Sequence, residues 1–326
     1  MKINIYNKEL KRVAIVGSRY VSCFWSEGYN FVQPFTLELQ DTAEYRQKVQ
    51  PDFYVGRDDR KTLMVIKSVQ FAENKIIASG KQASRVLNDV AFIGTIKENQ
   101  YIDNSIKSSY NLSDKYPLVD FKESDIGVKY QGQISNKSFL ELCETMCQDT
   151  DVGFKALKEN ENILIEFYKP EENPNLIFSK NFGNLKLNDI FLSTEPYKNR
   201  AIVLGEGADG GRVRVDVDMS NGGQKYDLIV DARDLQKEDG ESDAEYQKRL
   251  TARGIEKLLE CNQTFKCSIT PFANEFGTKY DLGDILTISL VDYGIKLKSR
   301  IIRFSQTSQN NKTDTIVEVG EMTIKR

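Results

Sequence analysis

The sequence predicts a β-rich α+β fold, with two small β-barrel domains flanking a mixed α+β middle. Three observations carry that reading. Short runs of alternating or β-branched residues, bounded by turn residues, fill both ends of the chain. Two stretches with helical periodicity, each preceded by a serine able to cap it, break the pattern. At 326 residues the chain is longer than one ordinary core requires. The expected divisions are an N-terminal barrel-like domain over 1–90, an α+β middle over 91–198, and a β-rich C-terminal domain over 199–326 with one long helix at about 242–261.

In the first segment, Ile3 to Tyr6, Arg12 to Val16 and Tyr20 to Trp25 read as short strands. Phe35, Leu37 and Leu39 alternate with Thr36, Glu38 and Gln40, the period of a half-buried strand. Pro51 precedes Phe53-Tyr54-Val55, and Leu63 to Phe71 and Lys75 to Ser79 add two more strands. Many short strands at this spacing suit a small barrel or sandwich. Lys81 to Phe92 then reads as a short helix, because Ala83, Val86, Leu87 and Val90 fall at helical spacing.

The middle segment is mixed. Tyr101 to Ser124 is polar, contains Pro117 and reads as an irregular connection. Ser135 to Ser138 can cap a helix over about Phe139 to Cys147, whose apolar stripe is Phe139, Leu142, Cys143 and Met146. Val152 to Leu157 and Ile163 to Tyr168 make a hairpin with a longer loop through Lys158 to Asn162, and Leu176 to Phe182 adds a strand.

The third segment opens with the strand Arg200 to Leu204, the glycine-rich Gly205 to Gly211, and the returning strand Arg212 to Val217. A second turn, Asn221-Gly222-Gly223, precedes Tyr226 to Val230. Ser242 and Glu245 form a capping box for a helix whose apolar face is Tyr246, Leu250, Ile255, Leu258 and Leu259. Phe265 to Ile269, Leu282 to Leu290, Lys298 to Phe304 and Thr315 to Val319 read as strands.

Composition removes several function classes. Apolar residues make up 40% and charged residues 29%, as in soluble globular chains, and no run is long enough for a membrane helix. Met1 to Tyr6 lacks a signal-peptide core, so synthesis and folding in a cytoplasm are expected. A net charge of −3 with scattered basic residues disfavours a nucleic-acid reader. The five cysteines, Cys23, Cys143, Cys147, Cys261 and Cys267, are odd in number and irregularly spaced, which reads as free thiols. Histidine is absent, which excludes HExxH metalloproteases and Ser-His-Asp or Cys-His hydrolases. Carboxylate-pair and lysine chemistry survive that test.

Each remaining candidate has a structural reading that outweighs the chemical one. Cys143 and Cys147 share a helix face as a metal pair would, but no further ligands accompany them, so they read as small buried hydrophobes. Gly205 to Gly211 lacks the following helix and lysine of a phosphate cradle and reads as a hairpin turn. Asp216 and Asp218 before Asn221-Gly222 resemble part of a calcium loop but fail its spacing. Asp231 to Asp234 and Lys237 to Glu245 offer carboxylates, yet read as a solvated loop feeding the capped helix. Trp25, Tyr29 and Phe31 suit carbohydrate in principle, and barrel core or a subunit interface better. No catalytic, cofactor-binding or metal-binding residue is therefore assigned.

From Asn199 onward the order of motifs resembles one family. Asn199 to Gly207 is followed by Gly211-Arg212, by YDLIVDARDL over Tyr226 to Leu235, and by SDAEYQKRLTARGIEKLLE over Ser242 to Glu260. Then come Tyr280 to Asp284, Arg300-Ile301-Ile302 and Val319-Gly320. This succession is similar to that of the siphovirus Gp37-like tail proteins, which in turn resemble the baseplate hub proteins of contractile tails. Phe35 to Leu39, Leu63 to Ile66 and Ala78 to Lys81 agree in style with that family's first barrel.

The resemblance implies a structural hub at the virion tail tip: a homotrimer with two barrels per subunit, approximating a six-fold ring. Such a ring joins the tail tube or distal-tail ring to tip and receptor-binding proteins, and its channel passes DNA or a tape-measure protein. It implies no cofactor and no catalysis. Some members continue into a wall-degrading or receptor-binding region. This chain stops at Arg326, six residues after Gly320, so no such region is expected. The rival readings are a carboxylate-pair hydrolase of cell-wall glycan and an adhesin that binds host polysaccharide through the aromatic cluster.

Overall fold

A computed structural model of the chain describes residues 1–261, 264–271, 275–310, 312–320 and 322–323. The chain forms two compact units. The first joins Met1–Lys186 to Ile269–Gly320, and the second is built on Leu187–Ser268.

The first unit is organised by an eleven-stranded sheet. Its path runs Glu172–Ser179, Ile285–Leu290, Ile295–Gln309, Ser22–Gly28, Pro34–Gln40, Lys75–Gln82, Leu63–Ala72, Tyr54–Arg57, Ile3–Tyr6 and Arg12–Gly17, with Lys312–Val319 also paired to Ile295–Gln309. The expected alternation is present: Phe35, Leu37 and Leu39 are buried in Pro34–Gln40. Where Lys75–Gln82 crosses Leu63–Ala72 the backbones nearly touch. A Cβ on Gly80 would lie 1.9 Å from the Val65 carbonyl oxygen, so only glycine fits there.

This sheet is rolled. Tyr54–Arg57 lies four places from Ser22–Gly28 in the strand order, which in a flat sheet means about 19 Å. Yet the Arg57 guanidinium sits 5.4 Å from the centre of the Trp25 ring. The path ends on Arg12–Gly17 without returning to its start, so among the described residues the strands form no closed barrel. The fold is β-rich α+β.

Pairing across the sheet also corrects the expected domain divisions. Arg303 to Gln309 is hydrogen-bonded to Gly28 to Ser22, so strands from both ends of the chain share one sheet. The compact units therefore do not follow the divisions 1–90, 91–198 and 199–326.

Helix α1 (Ala43–Lys48) is a short cap between strands, with Thr42 accepting from the Tyr45 amide. The second core of this unit gathers α2 (Ile102–Asn111), α3 (Phe139–Asp149), a 3₁₀ turn at Ala83–Asp89 and the hairpin Gly153–Glu159/Asn162–Tyr168. Ser138 and Glu141 form the capping box of α3, and its stripe Phe139, Leu142, Cys143, Met146 is buried.

Three expectations change here. Tyr101 to Ser124 is not irregular throughout. Ile102, Ile106 and Tyr110, four apart, are buried on α2, and Val119–Phe121 pairs in parallel with Ile163 to Ile165. The stretch 81–92 forms only a 3₁₀ turn, because the preceding strand keeps its ladder as far as Gln82. The hairpin loop is short: Glu159 pairs with Asn162, and Asn160 takes the left-handed conformation (φ 51°) that asparagine tolerates.

In the second unit Arg200–Leu204 pairs antiparallel with Arg214–Asp218 and parallel with Asp227–Asp231. Helix α4 (Asp243–Glu260), capped by Ser242 and Glu245, covers one face of that sheet. Tyr246, Leu250 and Leu258 pack on Ala201, Val203, Val217 and Val230. Gly254 permits the close approach, since a Cβ there would stand 2.7 Å from Val203 Cγ2. Ile255 and Leu259, expected on the buried face, are 40% and 50% exposed. The buried line follows steps of four from Tyr246, and these two lie beside it. The Phe265 to Ile269 strand lies within Thr264–Pro271, with side chains outside the described set.

Candidate functional site

The residues singled out in sequence are spread over both units. Gly205 to Gly211 lies in the loop of the hairpin that closes with Leu204 opposite Arg214. Asp216 is held bidentate by Arg214 at 2.6 and 2.8 Å, and Asp218 by Lys225 at 2.7 Å. Hydrogen bonds from Arg214 to Asp216, and from Lys225 and Ser220 to Asp218, keep both carboxyls below the usual range. Asp231 accepts from Arg212 and Arg233, and Asp234 from Arg253. No group of acids, cysteines or histidines with metal-holding geometry is present among the described residues. Cys143 and Cys147 are fully buried, and burial pushes both thiols up. Trp25 is completely buried and Tyr29 nearly so, which leaves no indole face to stack on a sugar.

The sequence reading missed a cleft of about 680 Å³ in the first unit. Its centre is Glu27. In Ser22–Gly28 the inward positions are Cys23, Trp25 and Glu27, so period-two alternation itself carries a carboxylate into the roll. Four bonds hold that carboxylate. Arg60 donates Nε to Oε1 at 2.7 Å and Nη2 to Oε2 at 2.8 Å; Trp25 Nε1 and Thr62 Oγ1 donate at 2.7 and 2.8 Å. Arg60 also lies over the rings of Phe276 and Phe304, which stack on each other at 4.3 Å. Around this centre stand Arg57, Asp59, Lys61, Lys122, Lys155, Glu166, Tyr168, Asp281 and Gln306.

Three carboxyls of the cleft are governed by the cations beside them. Burial alone would raise Glu27, but the charge of Arg60 and the bonds from Arg60, Trp25 and Thr62 outweigh it and hold the carboxyl below its ordinary range. Burial would also raise Asp59 and Glu166. Arg57 lowers the first, Lys122 and Lys155 lower the second, and both end below the ordinary range. A glycosidase pair needs one carboxyl kept protonated near neutral pH. Glu27, Asp59 and Glu166 are all held ionised and paired.

Residues 2–321 match the siphovirus ReqiPepy6 Gp37-like protein family. The chain belongs to that family. Solved structures similar to this member include tail proteins, two of them from prophages. Gp18 from Listeria monocytogenes EGD-e is 12% identical (TM-score 0.58) over 100% of this chain and 95% of its own. The 43 kDa tail protein of prophage MuSo2 from Shewanella oneidensis is 14% identical (TM-score 0.58) over 98% of both chains. A tail protein from Neisseria meningitidis MC58 is 12% identical (TM-score 0.54) over 99% of this chain and 96% of its own. At such identities the likeness establishes the fold that this Gp37-like chain shares with them. A search of curated proteins returned no match.

Proposed function

We propose that this Gp37-like protein is a structural subunit of a phage or prophage tail tip, a hub that joins the tail tube or distal-tail ring to the tip. The observation that carries the proposal is the combination of family membership over residues 2–321 with whole-chain likeness to tail proteins, two of them from prophages. Its working location is the virion tail tip, and its working partners are other tail proteins. No helix among the described residues is long and apolar enough to cross a membrane.

In the finer form of the proposal the subunit is a homotrimer without enzymatic activity. Each chain brings two β-modules, so three copies bring six, and a three-fold tip can mate with a six-fold ring. The rolling of the first unit's sheet, with Arg57 reaching Trp25 across it, supports a barrel-like module. The three-stranded sheet of the second unit, backed by α4, is the second module. A ring of this kind has an opening through which DNA or a tape-measure protein passes. The ionised, paired state of Glu27, Asp59 and Glu166 weighs against the glycan-hydrolase alternative. The buried Trp25 weighs against the adhesin alternative.

Native mass spectrometry across a concentration series, with negative-stain imaging, tests the reading. A trimer with a ring-like projection and an open centre is expected. A monomer at every concentration, alone and mixed with the neighbouring tail proteins, refutes it.

A further inference from the structure

We propose that the Glu27–Arg60 cleft is a binding site for an acidic peptide segment, taking a side-chain carboxylate together with the peptide N–H beside it. The site lies within the first unit, and the proposal does not require the hub reading.

Four acids line the cleft, and each has a partner; Asp281, the most open to solvent after Asp59, accepts from the Leu282 amide at 2.8 Å and lies 3.6 Å from Arg60. Glu27 is saturated by four donors. Asp59 takes both Nε and Nη2 of Arg57, at 2.9 and 2.5 Å, and Glu166 is paired to Lys122 and Lys155. What remains uncommitted is of the opposite sign. Arg57 is 6% exposed, and its Nη1 is buried without an acceptor. Lys61, which also lines the cleft, is exposed and makes no ion pair among the described residues. A buried guanidinium N–H without an acceptor is destabilising, so an anion brought to it gains more than a surface contact would.

The cleft also holds a buried acceptor without a donor. Gln306 gives its Nε2 to Thr315 Oγ1 at 3.1 Å, while its Oε1 is buried without a donor. A ligand that answers all three groups carries negative charge for Arg57 and Lys61 and an N–H for Gln306. Inorganic anions at neutral pH supply the first and are poor in the second; a neutral amide supplies only the second. An aspartyl or glutamyl residue in an extended peptide supplies both. The volume, about 680 Å³, lies within the range of small-ligand clefts and admits a few residues.

The chain's one tryptophan reports on this site, since Trp25 lies beneath Arg57. The experiment titrates the full-length protein with Ac-Gly-Asp-Gly-Asp-Gly-NH₂, read by tryptophan fluorescence and by calorimetry. Ac-Gly-Asn-Gly-Asn-Gly-NH₂ and inorganic phosphate serve as comparison probes. Saturable binding of the Asp peptide is expected, weakened roughly tenfold by Lys61→Gln and by Arg57→Gln and reduced by salt. Lys61 is exposed, so Lys61→Gln remains informative if Arg57→Gln fails to fold. The proposal is overturned by absence of saturable Asp-peptide binding at roughly millimolar concentrations, or by binding insensitive to Lys61→Gln. Equal binding of the Asn peptide or of phosphate also overturns it, the first by removing the need for charge and the second the need for a peptide.

Discussion

Replacing Arg60 with methionine keeps much of the stem that lies over Phe276 and Phe304 but removes the charge that neutralises Glu27. The Glu27 side chain is 1% exposed, so water cannot take over. The variant loses two charge-assisted bonds, at 2.7 and 2.8 Å, and retains the neutral donors Trp25 and Thr62. Leaving one member of a buried pair uncompensated costs about 3–5 kcal/mol. The two surviving donors place this case near the lower end, at about 3 kcal/mol. For a folding unit of this size that lowers Tm on the order of 10 °C.

The assay is thermal denaturation, with urea denaturation at unchanged m-value as a second readout, both at pH 7 and pH 4. The sign follows from Glu27. In the wild type its folded pKa is depressed, so its contribution is fully present above the unfolded value of about 4.3 and is lost as pH falls through the folded value. Without Arg60, burial dominates and the folded carboxyl rises, so protonation at pH 4 relieves the variant. Its deficit is therefore larger at pH 7 than at pH 4. A Tm within about 2 °C of wild type at pH 7, or an equal deficit at both pH values, refutes the reasoning. Adding Glu27→Gln to Arg60→Met should recover part of the loss.

Gly283 has φ +90°, and a Cβ there would lie 2.5 Å from Tyr29 Cε2, so Gly283→Val should cost about 3 kcal/mol in a thermal melt. Trp25→Ala, which deletes a fully buried ring and a donor to Glu27, should destabilise by about 3–5 kcal/mol and show no selective loss of polysaccharide binding. Ser242→Ala should lower stability by about 1 kcal/mol through loss of the α4 cap, measured by denaturant midpoint. In a Cys261→Ser/Cys267→Ser background, thiol labelling of Cys23, Cys143 and Cys147 should wait for unfolding. All three are buried, and burial pushes Cys23 up to about 12.

Local signals in the sequence were reliable where the physics is local. The serine caps ahead of Phe139 and Asp243 and the alternation at Phe35 to Leu39 all depend on near neighbours. Helix α2 was obscured because its buried stripe, Ile102, Ile106 and Tyr110, is one residue wide in a polar segment. The cleft was illegible for a different reason. It unites Glu27, Arg60, Phe276 and Phe304; the pairing of Ser22–Gly28 with Arg303–Gln309 sets Phe304 opposite Glu27, and Arg60 arrives from the loop after Tyr54–Arg57. Glu27 did leave a trace, as a charge at an inward position after Cys23 and Trp25, but its counter-ion could not be named from spacing.

That same pairing orders events during synthesis. Ser22–Gly28 cannot gain its second neighbour until residues near 309 have been made. At ribosomal rates of about 5–20 residues per second, its edge stays open for tens of seconds. An open strand edge over that interval invites pairing with other nascent chains. The strands Arg200–Leu204, Arg214–Asp218 and Asp227–Asp231, with α4 close behind, need no such wait. The second unit should mature first, although translation reaches it later, and the yield of native protein should be governed by how long the first unit remains unfinished.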